Sequence, residues 1–289
     1  MNKQKSFQQG QVAGTLYLVP TPIGNLEDMT FRAVKILGNA DLIASEDTRN
    51  TQKLLNHFDL QTPQKSLHEH NYRERIPYLL EFLKSGKDVA QVSDAGMPSI
   101  SDPGHELVKS CIAENISVVA LPGPTAGVTA LIASGLNPQP FTFYGFLPRK
   151  KKEQVAFLEE ILEEATTSIF YESPHRIKAV IDTLLEVFGE REAVICRELT
   201  KIHEEYLRGS LAELQAYLAE TELKGEICLL VAGFTGEKIS ALPEGTLKEQ
   251  VTALIENGLT TKDAIKETAR RNDLKKQIVY NAYHELNEN

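Results

Sequence analysis

Between Thr15 and Phe146 short β-rich runs alternate with helix-like segments, and this alternation constrains the fold more than any other feature of the chain. LYLV (16–19), DLIAS (41–45), VAQVS (89–93), SVVAL (117–121) and FTFYGF (141–146) read as strands. FRAVKILG, TRNTQKLLNHF, RIPYLLEFLKSG, GHELVKSCIAEN and TAGVTALIASG lie between or beside them, with apolar residues at helical spacing and most closed by Gly or Asn. Repeated βαβ units of this kind wind around a mostly parallel sheet. The expectation is one α/β domain over 14–147.

LPRKKKE (147–153) joins a proline to a charge run and is the expected domain boundary. Beyond it the spacing predicts a helix over 153–165, the strand SIFYE, a helix over 174–188 capped by Ser173 with Pro174 in its first turn, the strands AVICREL and EEYLRG, a helix near 211–220 and the strand EICLLVAGF. Two strands in succession imply a mixed sheet in this second α/β domain, 148–236. Residues 246–289 read as three short helices, with Thr261 and Asp273 as N-caps and Gly258 and Asn272 as stops. They form an expected helical, helix-turn-helix-like domain over 244–289. Residues 1–13 are expected to be a flexible N-terminus.

A formal net charge of −9 argues against indiscriminate nucleic-acid binding, which depends on many Lys and Arg neutralising phosphates. Any RNA contact must therefore be local. Basic residues do cluster, in Arg149-Lys150-Lys151-Lys152 and around Arg270-Arg271 and Lys275-Lys276. Cys111, Cys196 and Cys228 sit in apolar runs without a CxxC pair and read as buried free thiols. The polar start MNKQKSFQQG has no signal-peptide core and no segment is apolar over a membrane-spanning length, so the cytoplasm is the expected location.

In open α/β sheets ligands bind beyond the carboxyl ends of the strands. The loops at those positions are PTPIGNLED (20–28), EDTR (46–49), SDAGMPSISDPG (93–104) and PGPTAG (122–127). Their glycines and prolines let backbone amides approach a ligand. Asp94 and Asp102 could accept hydrogen bonds from ribose hydroxyls or an ammonium group. Thr125 could cap a helix or meet a ligand at its start. No GxGxxG follows the first strand and no GxxxxGK[ST] occurs, which lowers the odds of a nicotinamide enzyme or an ATPase. His68-Glu69-His70 lacks supporting ligands, so no metal site is expected. YESPHR (171–176) and RELTKIHEEYLRG (197–209) crowd charge and histidine at strand ends, as a wall facing an interdomain cleft would, or as plain pairing of Glu172 with Arg176 or Arg197.

Taken in order, LYLVPTPIGNLEDMTFRA, EDTR, SDAGMPSISDPG, PGPTA, GFLPRK, YESPHR and the KGE before the last strand resemble the ribosomal RNA small-subunit methyltransferase I family, a branch of the tetrapyrrole methylases. Met97 departs from an expected Thr, and Thr125 from a frequent Ser. The resemblance implies a homodimer of two-domain α/β subunits with S-adenosylmethionine in the cleft between domains and S-adenosylhomocysteine as product. By carry-over Pro22, Asp94, Ala95, Gly96, Ile100, Ser101, Thr125 and Ala126 would contact the cofactor, with Tyr171 and Ala232 from the second domain. The implied reaction is 2′-O-methylation of the cytidine at position 1402 of 16S rRNA in the small ribosomal subunit.

Such a transfer depends on positioning and on a base for the hydroxyl proton. Glu172 and His175 are the expected bases, with Glu46 and Asp47 behind them. Asn25, Arg49, Arg149, Lys150, Lys151, Arg176 and Arg197 are the expected RNA contacts. The rivals are a small-molecule methyltransferase acting on a tetrapyrrole precursor and, more remotely, a nucleic-acid-binding regulator built on the C-terminal helices.

Overall fold

A computed structural model of the chain describes residues 1, 3–5, 13–236, 245–256, 258–272 and 274–285, excepting the side chains of Asp263 and Arg270. Most of the expected flexible N-terminus, and the expected cap Asp273, lie outside the described residues. The chain divides into two compact units, Met1–Phe234 and Thr235–Asn289.

The first unit holds two five-stranded sheets. One comprises β1 (Thr15–Leu18), β2 (Leu42–Ser45), β3 (Gln64–Ser66), β4 (Val89–Val92) and β5 (Ser117–Ala120) in the order β3-β2-β4-β1-β5, all parallel. Its connections are α1 (Phe31–Asn39), α2 (Thr48–His57), α3 (Tyr72–Lys84) and α4 (Gly104–Ala113). LIAS and VAQV are buried along their whole length because helices cover both faces. Successive side chains part to opposite faces. Leu42, Ala44 and Val89 pack with Leu79, Leu83 and Leu107, whereas Ile43, Ala90 and Val92 pack with Leu37, Leu54 and Leu55. Each of these leucines contributes about 1.5–3 kcal/mol by leaving water. Thr30 and Asp47 cap α1 and α2 by accepting the Ala33 and Arg49 N–H groups, each cap worth about 1 kcal/mol.

Two strands depart from expectation. β3 is a polar three-residue edge strand, QKS, which pairs with β2 through its backbone and carries no apolar pattern to announce it. FTFYGF, expected to close the first sheet, is β6 (Phe141–Phe146) and pairs with β7 (Thr167–Glu172) in the second. The chain therefore leaves the first sheet before Phe141, not at 147. Pairing partner is a non-local choice that the residues of one strand do not encode.

The second sheet runs β6-β7-β10-β8-β9, with β8 (Glu192–Arg197), β9 (Glu205–Ser210) and β10 (Ile227–Val231). Only β6 and β7 are parallel, so the sheet is mixed as expected. One face packs Phe170, Ile195 and Leu229 against α7 (Ile177–Phe188) and α8 (Leu211–Glu220), while α6 (Lys151–Glu160) adds Leu158. The other face packs Ile169, Val194 and Leu230 against Ala130 and Leu131 of α5 (Ala126–Ser134). The helix that follows the first sheet thus covers the second and joins the two. α7 starts at Ile177, later than the expected 174. Residues 173–176 form a turn instead, in which the Ser173 carbonyl accepts the Arg176 and Ile177 N–H groups at 3.1 Å each.

The second unit is three helices, α9 (Leu247–Glu256), α10 (Thr261–Arg271) and α11 (Lys276–Tyr283), around Val251, Leu254, Ile265 and Val279. Gly258, at φ +95°, follows α9 as expected of a stop residue. Thr261 is the first residue of α10 and not its cap. Among the described residues no helix is long and apolar enough to cross a membrane.

Candidate active site

A cavity of about 530 Å³ opens in the first unit, walled on one side by the loops leaving β1, β2, β4 and β5 and on the other by β6, β7, β8 and β10. Its volume falls in the range of small-molecule sites.

The first wall is braced by its own hydrogen bonds. Thr21 and Gly96 exchange backbone bonds of 3.0 Å in each direction, clamping the loop after β1 to the loop after β4. Gly96 sits at φ +76°, a conformation that an L side chain resists. Asp102 accepts the Ser99 N–H at 2.7 Å, the Gly104 N–H at 2.8 Å and the Gln91 amide at 3.1 Å. Burial pushes its carboxyl up and these donors pull it back. Gly104 is required by this packing, because a Cβ there would stand 1.4 Å from Gln91 Nε2.

Glu46 and Asp94 brace one another's loops. Glu46 Oε2 accepts the Asp94 N–H at 3.2 Å, while Asp94 accepts the Asp47 N–H and the Asn50 amide at 3.1 Å each. Burial, more than neighbouring Asp94, Asp102 and Glu69, raises the Glu46 carboxyl above its ordinary value. Asp47 is different. Its hydrogen bonds to Arg49 hold it down to about 2, which makes it a weak base.

The second wall presents side chains. Phe143 and Phe146 meet the Tyr171 ring edge-on at 4.9 and 5.8 Å. Cys196 and Cys228, cross-strand partners, line the cavity as free thiols, and burial pushes the Cys196 thiol up to about 12 and Cys228 higher. Glu172 ends β7 almost wholly buried. Its Oε1 accepts the Ser173 N–H at 2.8 Å. Oε2 stands 3.3 Å from Arg176 yet has no hydrogen-bond partner among the described residues, so that contact is one of charge. Burial raises the Glu172 carboxyl, against the Ser173 N–H and Arg176.

Of the expected cofactor residues, Asp94, Ala95, Gly96, Ile100, Ser101, Thr125, Ala126 and Tyr171 line the cavity together, with Glu172. Thr125 stands at the N-cap position of α5 but makes no side-chain cap bond. Pro22 is not in the lining, although its neighbour Ile23 is. Ala232 follows the far end of β10, roughly 16 Å from the cavity residue Ile227 at strand spacing. His175 is exposed in the turn before α7 and does not line the cavity; nor does Asp47, which is spent as the α2 cap.

None of the expected RNA contacts lines it either. Arg49 is exposed and paired with Asp47; Lys150 and Lys151 pair with Glu153 and Glu186, and Arg149 is exposed. Arg197 bonds Glu205 at 2.9 Å and the Lys224 carbonyl, and Asn25 gives its N–H to Thr200. Arg176 reaches the Leu147 and Pro148 carbonyls. Among the lining residues that sequence reasoning missed are the apolar Ile23, Phe143, Phe146 and Leu199, and the acidic Glu226. The aromatic alternation of FTFYGF was the one available signal. Among the described residues no group of His, Cys, Asp and Glu could hold a metal ion.

Two sheets of this topology with a cavity between them define the tetrapyrrole methylase class, and residues 15–215 match the family model described as Tetrapyrrole (Corrin/Porphyrin) Methylases. Solved structures agree in fold: a uroporphyrin-III-C-methyltransferase from Thermus thermophilus (TM-score 0.52, 22% identity, 76% of this chain and 94% of that one) and the methyltransferase CobJ (TM-score 0.59, 17% identity, 78% and 97%). The chain belongs to the ribosomal RNA small subunit methyltransferase I family, being 54% identical over 287 residues to the protein of that description from Streptococcus pyogenes serotype M1 (99% of this chain, all of that one) and 48% identical to that of Bacillus subtilis strain 168 (98% and 99%).

Proposed function

We propose that this protein transfers a methyl group from S-adenosylmethionine to the ribose 2′-hydroxyl of the cytidine at position 1402 of 16S rRNA in the small ribosomal subunit, acting as a cytoplasmic homodimer. The observation that carries the choice of methyl donor is the charge of the cavity. Its lining includes Glu46, Asp94, Asp102, Glu172 and Glu226 but no Lys, Arg or His. A site of that sign favours a ligand bearing positive charge, as a sulfonium with an ammonium group does. Apolar Ile23, Ile100 and Leu199 suit a nucleoside face, and the glycine-lined 94–97 turn lets main-chain groups approach. A relative in fold, the uroporphyrin-III C-methyltransferase of Thermus thermophilus, is described as complexed with S-adenyl homocysteine.

Asp94, Ala95, Gly96, Ile100, Ser101, Thr125, Ala126 and Tyr171 would hold the cofactor. Bound there, it supplies an electrophilic methyl group and leaves as S-adenosylhomocysteine. Glu172, whose buried Oε2 has no hydrogen-bond partner among the described residues, takes the hydroxyl proton. Its raised affinity for a proton suits that task. Exposed Arg149, Lys150 and Lys151 lie outside the lining and suit phosphates flanking the target.

The test is transfer of labelled methyl to unmethylated small subunits followed by nuclease mapping. Label in the ribose of that cytidine is expected; label on a base, or only on a tetrapyrrole, overturns the reading. Deleting 244–289 should weaken binding to the subunit and leave cofactor titration heats unchanged. Equal loss of both would make those helices structural.

A further inference from the structure

The Arg176 guanidinium does not stand free, as a phosphate ligand would. Its Nη2 donates to the carbonyl oxygens of Leu147 at 3.2 Å and Pro148 at 2.9 Å, on the linker that leaves β6. The same nitrogen lies 3.3 Å from Glu172 Oε2, at the end of the adjoining strand β7. One side chain therefore ties the linker to the carboxylate. Glu172 is gripped at Oε1 by the Ser173 peptide, while at Oε2 it is balanced in charge but not capped. A carboxylate so held is fixed in place, with Oε2 buried beside the cavity and without a hydrogen-bond partner among the described residues.

We propose that Arg176 is a positioning residue for methyl transfer: anchored on the Leu147 and Pro148 carbonyls, it holds the Glu172 carboxylate in place at the cavity wall, and it does not contact RNA. The inference rests on the reading of Glu172 as the base. In the transfer the ribose O–H bond breaks and the proton passes to Glu172; the oxygen keeps the electron pair that bonds the methyl carbon, whose bond to sulfur breaks with its pair left on the departing S-adenosylhomocysteine. Arg176 changes none of these bonds. It offsets the cost of keeping a buried carboxylate charged beforehand.

Among the described residues Arg176 is the one charged side chain that shifts the Glu172 carboxyl. The charges nearest along the paired strands are occupied elsewhere. Ile227 of β10 lies opposite Glu172 and Arg197; its neighbour Glu226 is bonded to Lys201, and Arg197 is bonded to Glu205, each at 2.9 Å. Among the described residues no second cation shifts the Glu172 carboxyl.

The test measures kcat against pH for methyl transfer to small subunits with the full-length enzyme, Arg176→Lys, Arg176→Met, Glu172→Gln, and Arg176→Met combined with Glu172→Gln. Arg176→Met is expected to move the acid limb to higher pH by about one unit, a tenfold loss at the foot of the limb, with KM for S-adenosylmethionine and for subunits within about twofold. Arg176→Lys should restore part of the shift. Where Glu172 is already Gln, Arg176→Met should cost nothing more. An unmoved limb, or the same loss in both backgrounds, overturns the proposal, as does a loss confined to subunit KM, which would make Arg176 an RNA contact. If Arg176→Met fails to fold, the limb of Arg176→Lys decides. Wild-type turnover in Glu172→Gln would sink the base reading itself, whereas loss there with an unmoved Arg176 limb removes only the positioning role.

Discussion

The two walls of the cavity use carboxylates in opposite ways. On the first-sheet wall Glu46, Asp94 and Asp102 spend their oxygens on peptide N–H groups and amides, and so turn glycine-rich loops into a fixed surface. On the second-sheet wall Glu172 keeps a buried oxygen without a hydrogen-bond partner among the described residues. A buried acceptor without a donor costs free energy, and such a cost is borne where a reacting group needs the lone pair. Standing after a strand does not make a carboxylate a base; the bonds it has already accepted decide.

The sharpest way to break this contrast is Glu172→Gln, which should lower kcat by about 10²- to 10⁴-fold while S-adenosylmethionine affinity, read by calorimetric titration, changes little. Equal loss of affinity would make Glu172 one more brace. Asp102→Ala should act the other way round. It orphans the Ser99 and Gly104 N–H groups at about 1–3 kcal/mol each, and it should weaken cofactor binding about tenfold while sparing kcat at saturation. A fall in saturated kcat with affinity intact would contradict it.

Gly104→Ala sharpens the same point sterically. The added Cβ displaces Gln91 and should cost about 1–3 kcal/mol, seen as a lower melting temperature. An unchanged melt would mean that the Gln91–Asp102 contact braces nothing.

The smallest effect belongs to Asp47. Arg49 depresses its carboxyl from 3.8 to about 2, so its ionised form stabilises the fold above the unfolded value, and that stability drains away as pH falls from 3.8 towards 2. Asp47→Asn should therefore unfold at lower urea than wild type near neutral pH, and the two midpoints should converge by about pH 2. A gap that persists in acid would assign the difference to the cap alone.

The first sheet was largely readable, since LIAS and VAQV are apolar throughout and their helices carry one-sided apolar stripes. QKS escaped because an edge strand held by backbone bonds needs no apolar code. FTFYGF was read as a strand but given to the wrong sheet, since its aromatic pattern says that it pairs and not with what. The loops at the cavity were legible by their glycines and by family resemblance. The fate of single charges was not. Arg176, expected as an RNA contact, is bonded to two carbonyls, and Asp47, expected as a base, caps α2; neither bond could be read from the sequence.

By itself, then, the sequence determined most of the strands and helices and which turns gather around the cavity, because periodicity and turn chemistry act over a few neighbouring residues. The tertiary structure alone decided which sheet receives β6, which carboxylates are already satisfied, and that Glu172 keeps an open oxygen. Those outcomes depend on burial and on partners far apart in the chain, and no local pattern of residues carries that information.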